Sequence, residues 1–244
     1  PYMKKHGITF KDIIDAYEND AHKDLAKKAP IHEVVLDMVV HHSPDPKVAQ
    51  VYRIPKIWHG DKETELGKAL MTCDPDGEPA FVVTKIVIDK HAGEVAAGRI
   101  FSGKFKPGQE VYMNMAKKKV RLQQVSVYKG AHRVALDEVY PGNIVGLVGL
   151  KGVFAGETVS VEVMEPFEAI KHIFEPVITK SIEANSSADL AKLVDILGQI
   201  SKEDPSIKIE INEETGENLI SGMGELHLEI IENRIVNEKG LSVK

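Results

Sequence analysis

The feature that most constrains the fold is a series of short strand-like runs between Lys68 and Val163. Each run is rich in β-branched or apolar residues, and a Gly or Pro turn signal separates one from the next at about every ten residues. Antiparallel strands at this spacing usually close into a barrel, because closure removes exposed edges. We therefore predict an antiparallel β-barrel at residues 67–163. The predicted strands are Ala69–Thr72, Ala80–Ile88, Glu94–Phe101, Glu110–Met115, Val120–Val127, Arg133–Leu136, Ile144–Leu150 and Thr158–Val163.

The pattern becomes mixed after the Glu165-Pro166-Phe167 break. Ile207, Ile209 and Ile211 alternate with polar residues, which is typical of a half-buried strand, whereas two other segments carry apolar residues at helical spacing. The β-α-β-β-α-β order of these elements predicts a ferredoxin-like domain at residues 166–244 that is truncated in its last strand. The predicted elements are a strand at Val177–Ile182, a helix at 187–204, strands at 207–211 and 218–221, a helix at 225–239 and a strand from Leu241.

Residues 1–66 are predicted to be an α-helical N-terminal segment that ends in a linker. Apolar residues at helical spacing predict one helix over 9–28, with Thr9 as its N-cap. A second helix is expected after Pro30 and before Pro44. Beyond it, prolines and a glycine interrupt any regular period, which is typical of an irregular linker.

The net charge of −6 averages two oppositely charged segments. Residues 104–133 contain eight basic side chains and one acid, whereas residues 183–238 contain thirteen acids and four bases. Tyr112 and Tyr128 are interleaved with the basic residues. Clustered lysines and arginines with aromatic neighbours suit contact with an RNA backbone, because phosphates attract concentrated positive charge. A solvent-exposed hairpin face explains the same pattern, and the residues alone leave both interpretations open.

The residues alone indicate no catalytic, cofactor-binding or metal-binding site. The Gly-x-x-x-x-Gly-Lys-Ser/Thr string that cradles nucleotide phosphates is missing, as is Asn-Lys-x-Asp. Gly222-x-Gly224 is half of a dinucleotide fingerprint, and we interpret it as a tight turn between a strand and a helix. The single cysteine, Cys73, excludes an internal disulfide. The sequence has no long apolar run and no signal pattern, so we expect a cytoplasmic protein with no membrane partner.

Four segments resemble the ribosomal translocases, a family of GTPases. They are Ser221–Ile230 (SGMGELHLEI), which is similar to a third-domain signature of the family, and Tyr52–Trp58, His91–Gly103 and Glu175–Val177. The likeness runs along the whole chain, and the linker resembles the archaeal and eukaryotic elongation factor 2 branch more than bacterial elongation factor G. It implies an internal fragment of an archaeal-type factor: residues 1–66 would be the end of the GTPase domain and a linker, 67–163 the second-domain barrel and 166–244 most of the third domain.

The resemblance also implies a function. The intact protein would bind GTP and Mg²⁺, hydrolyse GTP on the ribosome and drive movement of tRNA and mRNA during protein synthesis. This segment lacks the nucleotide-binding motifs, so it is expected to have no GTPase activity itself and to contribute ribosome-contacting and signal-relaying domains. Its expected partners are small-subunit RNA and protein, together with the GTPase domain and the later domains of the same protein.

Two sets of site residues follow from the resemblance. The candidates for RNA contact share a positive charge, or a histidine, in the basic segment of the barrel: Lys117, Lys118, Lys119, Arg121, Lys129, His132 and Arg133. The third-domain signature contributes Gly222, Gly224, Glu225 and His227. For Glu225 and His227 we expect local roles as a capping carboxylate and a packed histidine, with a relay role as the alternative.

Two other classes of protein remain as alternatives. One is a fragment of another translational or spliceosomal GTPase. The other is a stand-alone RNA-binding barrel protein.

Overall fold

The structure is a computed structural model that describes residues 2–89, 92–130, 132–168, 176–211 and 217–244. His91 and Glu175, which belong to two of the segments that carry the family resemblance, lie outside the described residues. The chain divides into two units, residues 1–45 and residues 46–244.

The first unit is helical. Its helices are α1 (Tyr2–Lys5), α2 (Phe10–Glu18), α3 (His22–Lys28) and α4 (Ile31–His42). Thr9 caps α2 as predicted, in a capping box with Asp12. The single helix predicted over 9–28 is wrong, because α2 ends at Glu18 and Asp20 takes a left-handed conformation with φ of 54° before α3 begins. This conformation interrupts a helix made of L-residues.

The second unit begins with two helices, α5 (Pro46–Ile57) and α6 (Glu65–Thr72). Two predictions fail here: residues 46–57 are helical where an irregular linker was expected, and Ala69–Thr72 ends a helix where a strand was expected. Proline is well suited to a helix's first turn, which Pro46 occupies, and Pro55 lies in the last turn. The helices are held by burial of Ile54, Trp58 and Leu70 against the outer side of the sheet that follows.

Eight antiparallel strands form that sheet. They are β1 (Ala80–Asp89), β2 (Gly93–Ser102), β3 (Glu110–Met113), β4 (Lys118–Arg121), β5 (Gln124–Lys129), β6 (His132–Leu136), β7 (Ile144–Val148) and β8 (Thr158–Ser160). Their order is β4-β3-β8-β1-β2-β7-β5-β6. Met113 on β3 and Val125 on β5 come from near opposite ends of this order and share one buried core, so the sheet curls around that core. The segment predicted as one strand over Val120–Val127 is divided between β4 and β5.

The remaining elements form a small α+β domain. They are β9 (Ile178–Ile182), a short 3-10 turn (Ser187–Asp189), α7 (Leu190–Glu203), β10 (Lys208–Ile211), β11 (Asn218–Gly222), α8 (Glu225–Asn233) and a π-helical turn (Arg234–Glu238). The sheet order is β10-β11-β9, and an antiparallel bridge between Ala184 and Val243 adds the end of the chain beside β9. Leu193, Leu197 and Ile231 pack in its core. The predicted combination of an antiparallel barrel with a ferredoxin-like domain is confirmed.

Candidate nucleic-acid interface

The first basic cluster lies on the β3–β4 hairpin (Glu110–Arg121). Val111 pairs with Val120, and Val111 is fully buried, so this pair faces the barrel core. Side chains alternate along a strand, which places Lys119 and Arg121 on the outer face. Lys117, Lys118, Lys119 and Arg121 are all exposed.

The four cations of this hairpin are weakly restrained. The Lys118 ammonium donates to the Lys151 carbonyl over 2.6 Å, and the Lys119 ammonium lies 3.5 Å from a carboxylate oxygen of Glu110. The Lys119–Glu110 pair is mostly exposed, so water and salt screen it strongly. Lys117 and Arg121 form no ion pair within the described ranges. The hairpin therefore presents positive charge that is available to an external anion.

The other three candidates lie on the β5–β6 hairpin (Gln124–Leu136). Lys129 pairs with His132 beside the turn, and both are exposed. Arg133 is different, because its side chain is only 17% exposed, its guanidinium donates to Gln124 and its Nε lies 3.5 Å from a carboxylate oxygen of Asp89. Arg133 therefore has a structural environment, and it is the least accessible of the seven candidates.

Tyr128 shares the environment of Arg133. The two residues are directly paired between β5 and β6, and the Tyr128 hydroxyl is buried. Burial raises the pKa of this hydroxyl, partly opposed by the positive charge of Arg133. The ring is thus partly inside the domain, which limits its use as a stacking platform for a base.

The structure places the seven candidates in two groups. Strands β4 and β6 lie at the two ends of the sheet order. In the part of the chain that the structure describes, no hydrogen bond or ion pair joins the two hairpins. Because four of the seven candidates are exposed on the β3–β4 hairpin, that hairpin is the stronger candidate for contact with a polyanion.

Sequence reasoning missed Glu157, which lies beneath the β3–β4 turn. Its side chain is fully buried, and its carboxylate accepts hydrogen bonds from the backbone N–H groups of Met115, Ala116 and Thr158 over 2.8, 3.1 and 3.0 Å. In the sequence it stands in a Gly-Glu-Thr string that resembles an exposed turn. Only its position directly before β8 hinted at burial.

The third-domain signature forms the junction between β11 and α8. A Cβ atom added to Gly222 would lie 2.8 Å from Leu228 Cδ2, so the glycine permits close packing of the helix on the strand. Gly224 is the N-cap of α8. Glu225 is in the first turn of α8, where a negative charge is favourable, and lies 3.4 Å from the Lys180 ammonium.

His227 connects the signature to the end of α7. Its Nε2 lies 3.1 Å from an Asp204 carboxylate oxygen, and its Nδ1 lies 3.3 Å from the Met223 backbone nitrogen, which donates to it. Burial alone would raise the pKa of Asp204, but hydrogen bonds from Ser206 and the contact with His227 outweigh burial and hold that pKa below its ordinary value. The histidine therefore fastens the start of α8 to the end of α7.

The residues next to Asp204 connect this domain to the barrel. Glu203 accepts a hydrogen bond from the Ile88 backbone N–H over 2.7 Å and binds the Arg234 guanidinium over 2.6 Å. The Lys202 ammonium lies 2.5 Å from a Glu94 carboxylate oxygen. The C-terminal end of α7 is therefore a three-way junction between the β1–β2 hairpin (Ala80–Ser102), α7 and the π-helical turn.

Among the described residues, no group of three or more His, Cys, Asp or Glu side chains is placed to hold a metal ion. No helix in the same part of the chain combines the length and the apolar character needed to span a bilayer.

Comparison with known proteins covers the whole chain. Residues 78–162 match the family model for elongation factor G domain 2, and residues 173–244 match the model for elongation factor G domain III. The chain is 56% identical to elongation factor 2 of Methanopyrus kandleri over 246 residues and 56% identical to that of Methanocaldococcus jannaschii over 247 residues. It is 54% identical to elongation factor 2 of Thermococcus kodakarensis over 244 residues.

All of this chain is aligned in these three comparisons, but it spans only 20%, 34% and 33% of the respective relatives. The resemblance drawn from the sequence motifs is confirmed by matches at both domains and along the full chain. The chain belongs to the elongation factor 2 family of translation factors, which is related to elongation factor G.

Proposed function

We propose that this chain supplies the ribosome-contacting and signal-relaying domains of a translation factor that couples GTP hydrolysis to movement of tRNA and mRNA through the ribosome. The observation that carries this proposal is the 56% identity to archaeal elongation factor 2 over the whole chain. Identity of this extent along the whole chain, which includes both domains, supports a shared role for both domains.

The nucleotide chemistry belongs, in this proposal, to the intact protein. GTP and Mg²⁺ would be held by a phosphate-binding loop and a guanine-reading motif, and neither string occurs in these 244 residues. The residues of this chain would bind the ribosome and transmit force in the cytoplasm. Catalysis of GTP hydrolysis is assigned to none of them.

The β3–β4 hairpin is the proposed contact with small-subunit RNA. Its four cations are exposed and only weakly paired, so little free energy is lost when they exchange their present neighbours for phosphates. Each phosphate that a lysine neutralises releases condensed counterions, which makes binding depend steeply on salt. Lys129 and His132 would add to this contact from the β5–β6 hairpin, whereas Arg133 would mainly support that hairpin.

The third domain is the proposed relay. Glu203 and Lys202 tie α7 to the β1–β2 hairpin, and His227 ties α8 to α7. A rigid-body movement of the third domain against the barrel would have to break the first two contacts while leaving the third intact. This arrangement supports transmission of a change of state between the second and third domains.

The interface is tested by charge reversal. The triple variant K117E/K118E/K119E and the wild-type chain are titrated with purified archaeal small ribosomal subunits over a series of KCl concentrations. A control, K23E/K27E/K28E, makes the same change of charge on the exposed face of α3.

We expect the triple variant on the β3–β4 hairpin to bind more weakly and to flatten the plot of log affinity against log salt by about 2, since each phosphate contact contributes roughly 0.7 to 0.9 to the slope. The α3 variant should keep the wild-type slope. Equal slopes for all three proteins would contradict the proposed interface.

A further inference from the structure

We infer that Glu157 is a positioning residue for RNA contact: its buried carboxylate fixes the turn that presents Lys117, Lys118 and Lys119. This inference rests on the proposed function of the β3–β4 hairpin. It adds a residue that touches no RNA and that lies about forty positions along the chain from the lysines.

The contacts of Glu157 identify what it organises. One carboxylate oxygen accepts from the N–H groups of Met115 and Thr158, and the other accepts from the N–H of Ala116. The side chain is fully buried, and no cation of the described residues forms an ion pair with it. A buried carboxylate needs hydrogen-bond donors in place of water, and here they all come from the backbone.

The turn depends on this anchor because its backbone is unusual. Lys117 has φ of 52°, in the left-handed region that L-residues disfavour. The N–H groups of Met115 and Ala116 lie in the turn between the paired residues of β3 and β4, so the ladder between those strands does not use them. Glu157 holds these two groups and links them to β8.

Asn114 anchors the same turn from its other end. Its side-chain amide donates to the Thr158 carbonyl over 3.1 Å and to the Ser160 hydroxyl over 2.7 Å, and its carbonyl oxygen accepts from the Met164 N–H over 2.9 Å. Two buried side chains, Asn114 and Glu157, thus fasten the loop to β8. The three lysines that follow are presented from a fixed base.

Electrostatics and positioning predict opposite results when the charge of Glu157 is removed. A negative charge near a basic cluster opposes binding of a polyanion, so its loss alone should tighten binding to RNA. If the carboxylate positions the turn, its loss should weaken binding despite the gain in positive charge. The sign of the effect therefore separates the two explanations.

Three variants make the test. Glu157→Gln removes the charge and replaces one acceptor by an amide donor, which cannot accept from the turn. Glu157→Asp keeps the charge but is shorter by one methylene and cannot reach the same N–H groups. Glu162→Gln is the control, because Glu162 is an exposed acid just after β8 and its loss changes the net charge equally.

Binding of each variant to purified archaeal small ribosomal subunits is measured at a temperature well below its unfolding midpoint, which circular dichroism supplies. We expect both Glu157 variants to bind about five- to tenfold more weakly, the scale of one lost hydrogen bond. Glu162→Gln should bind as the wild type or slightly more tightly. Amide exchange at Met115 and Ala116 should be faster in Glu157→Asp.

Combining variants distinguishes positioning of the lysines from a purely structural role of Glu157. In the K117E/K118E/K119E background, Glu157→Asp should cause no further loss of binding, because the lysines it positions are gone. Additive losses in the combined variant would overturn this inference alone. Unchanged or tighter binding by the single Glu157 variants would do the same, provided that the triple lysine variant binds weakly. Wild-type binding by the triple variant would overturn the proposed interface and this inference with it.

Discussion

Replacing Glu203 with alanine tests how the third domain is held to the barrel. The carboxylate of Glu203 sits between two donors, the Ile88 backbone N–H at 2.7 Å and the Arg234 guanidinium at 2.6 Å. Ile88 belongs to the barrel and Arg234 to the π-helical turn of the third domain. The substitution removes the acceptor for both donors at once.

The size of the effect follows from burial. Hydrogen bonds that involve a charged partner contribute about 1.5 to 3 kcal/mol each when they are protected from water. The Glu203 side chain is 14% exposed and that of Arg234 is 29% exposed, so the pair is partly screened and its contribution is reduced. We expect the free energy of unfolding of the third domain to fall by about 2 to 4 kcal/mol.

Glu238→Ala is the matched control for Glu203→Ala. Glu238 also faces Arg234, but over 3.8 Å and with a side chain that is 60% exposed, so its loss should cost at most about 0.5 kcal/mol. Urea unfolding followed by circular dichroism at 222 nm, with the midpoint and the slope fitted separately, measures both variants. Equal losses in the two variants, or a loss below about 0.5 kcal/mol for Glu203→Ala, would refute the role of Glu203 in the three-way junction.

Two other predictions concern a close approach of strands and a pH dependence. A Cβ at Gly98 would lie 1.9 Å from the Val82 carbonyl oxygen, so Gly98→Ala should lower the free energy of unfolding by about 3 kcal/mol and the thermal midpoint with it. Gly198→Ala is the control, because a Cβ there would meet no atom within 4 Å, and it should raise the free energy of unfolding by about 0.5 to 1 kcal/mol. Because the pKa of Asp204 is lowered by folding from its ordinary value of 3.8, its contribution to stability is present above that value and is lost as the pH falls through the lower folded value. Urea midpoints measured from pH 5 to pH 2.5 should therefore fall less in Asp204→Asn than in the wild-type chain, and parallel curves would contradict this role for Asp204.

The strands of the barrel were largely predictable because β-branched runs and Gly or Pro turns mark them directly. Two boundaries were not. Apolar and polar residues alternate over most of Val120–Val127, as they do in a single strand, and this hides the break at Leu122 and Gln123, which depends on where β7 pairs with β5. The last four residues of α6, Ala69–Thr72, were mistaken for a strand because their short apolar run shows no helical period of its own, and burial of the helix against the outside of the barrel decides its form.

The sequence predicted which charged residues belong to the candidate site, but it did not predict which of them are accessible. Lys117 and Arg133 count equally in the sequence, yet the first is exposed in a turn and the second is held by Gln124 and Asp89. The difference arises from strand pairing, which directs the Arg133 side chain along the face that it shares with Tyr128. A charge count contains no information about this direction.

The acidic residues likewise show that the net charge of −6 does not report which charges are accessible. Glu157 sits under the basic hairpin. Glu203 binds the Arg234 guanidinium and a backbone N–H of the barrel, and Asp204 binds Ser206 and His227 within the third domain. All three carboxylates organise the structure around them. Glu203 and Asp204 are two of the thirteen acids in residues 183–238, and because they are engaged in these contacts they contribute less to the surface field than that count suggests. The lysines of the β3–β4 hairpin, by contrast, are exposed and weakly paired. The surface that meets a polyanion is therefore more positive than the composition implies, and the strongest effects of removing acids should come from Glu157 and Glu203, where the loss disturbs geometry before it changes charge.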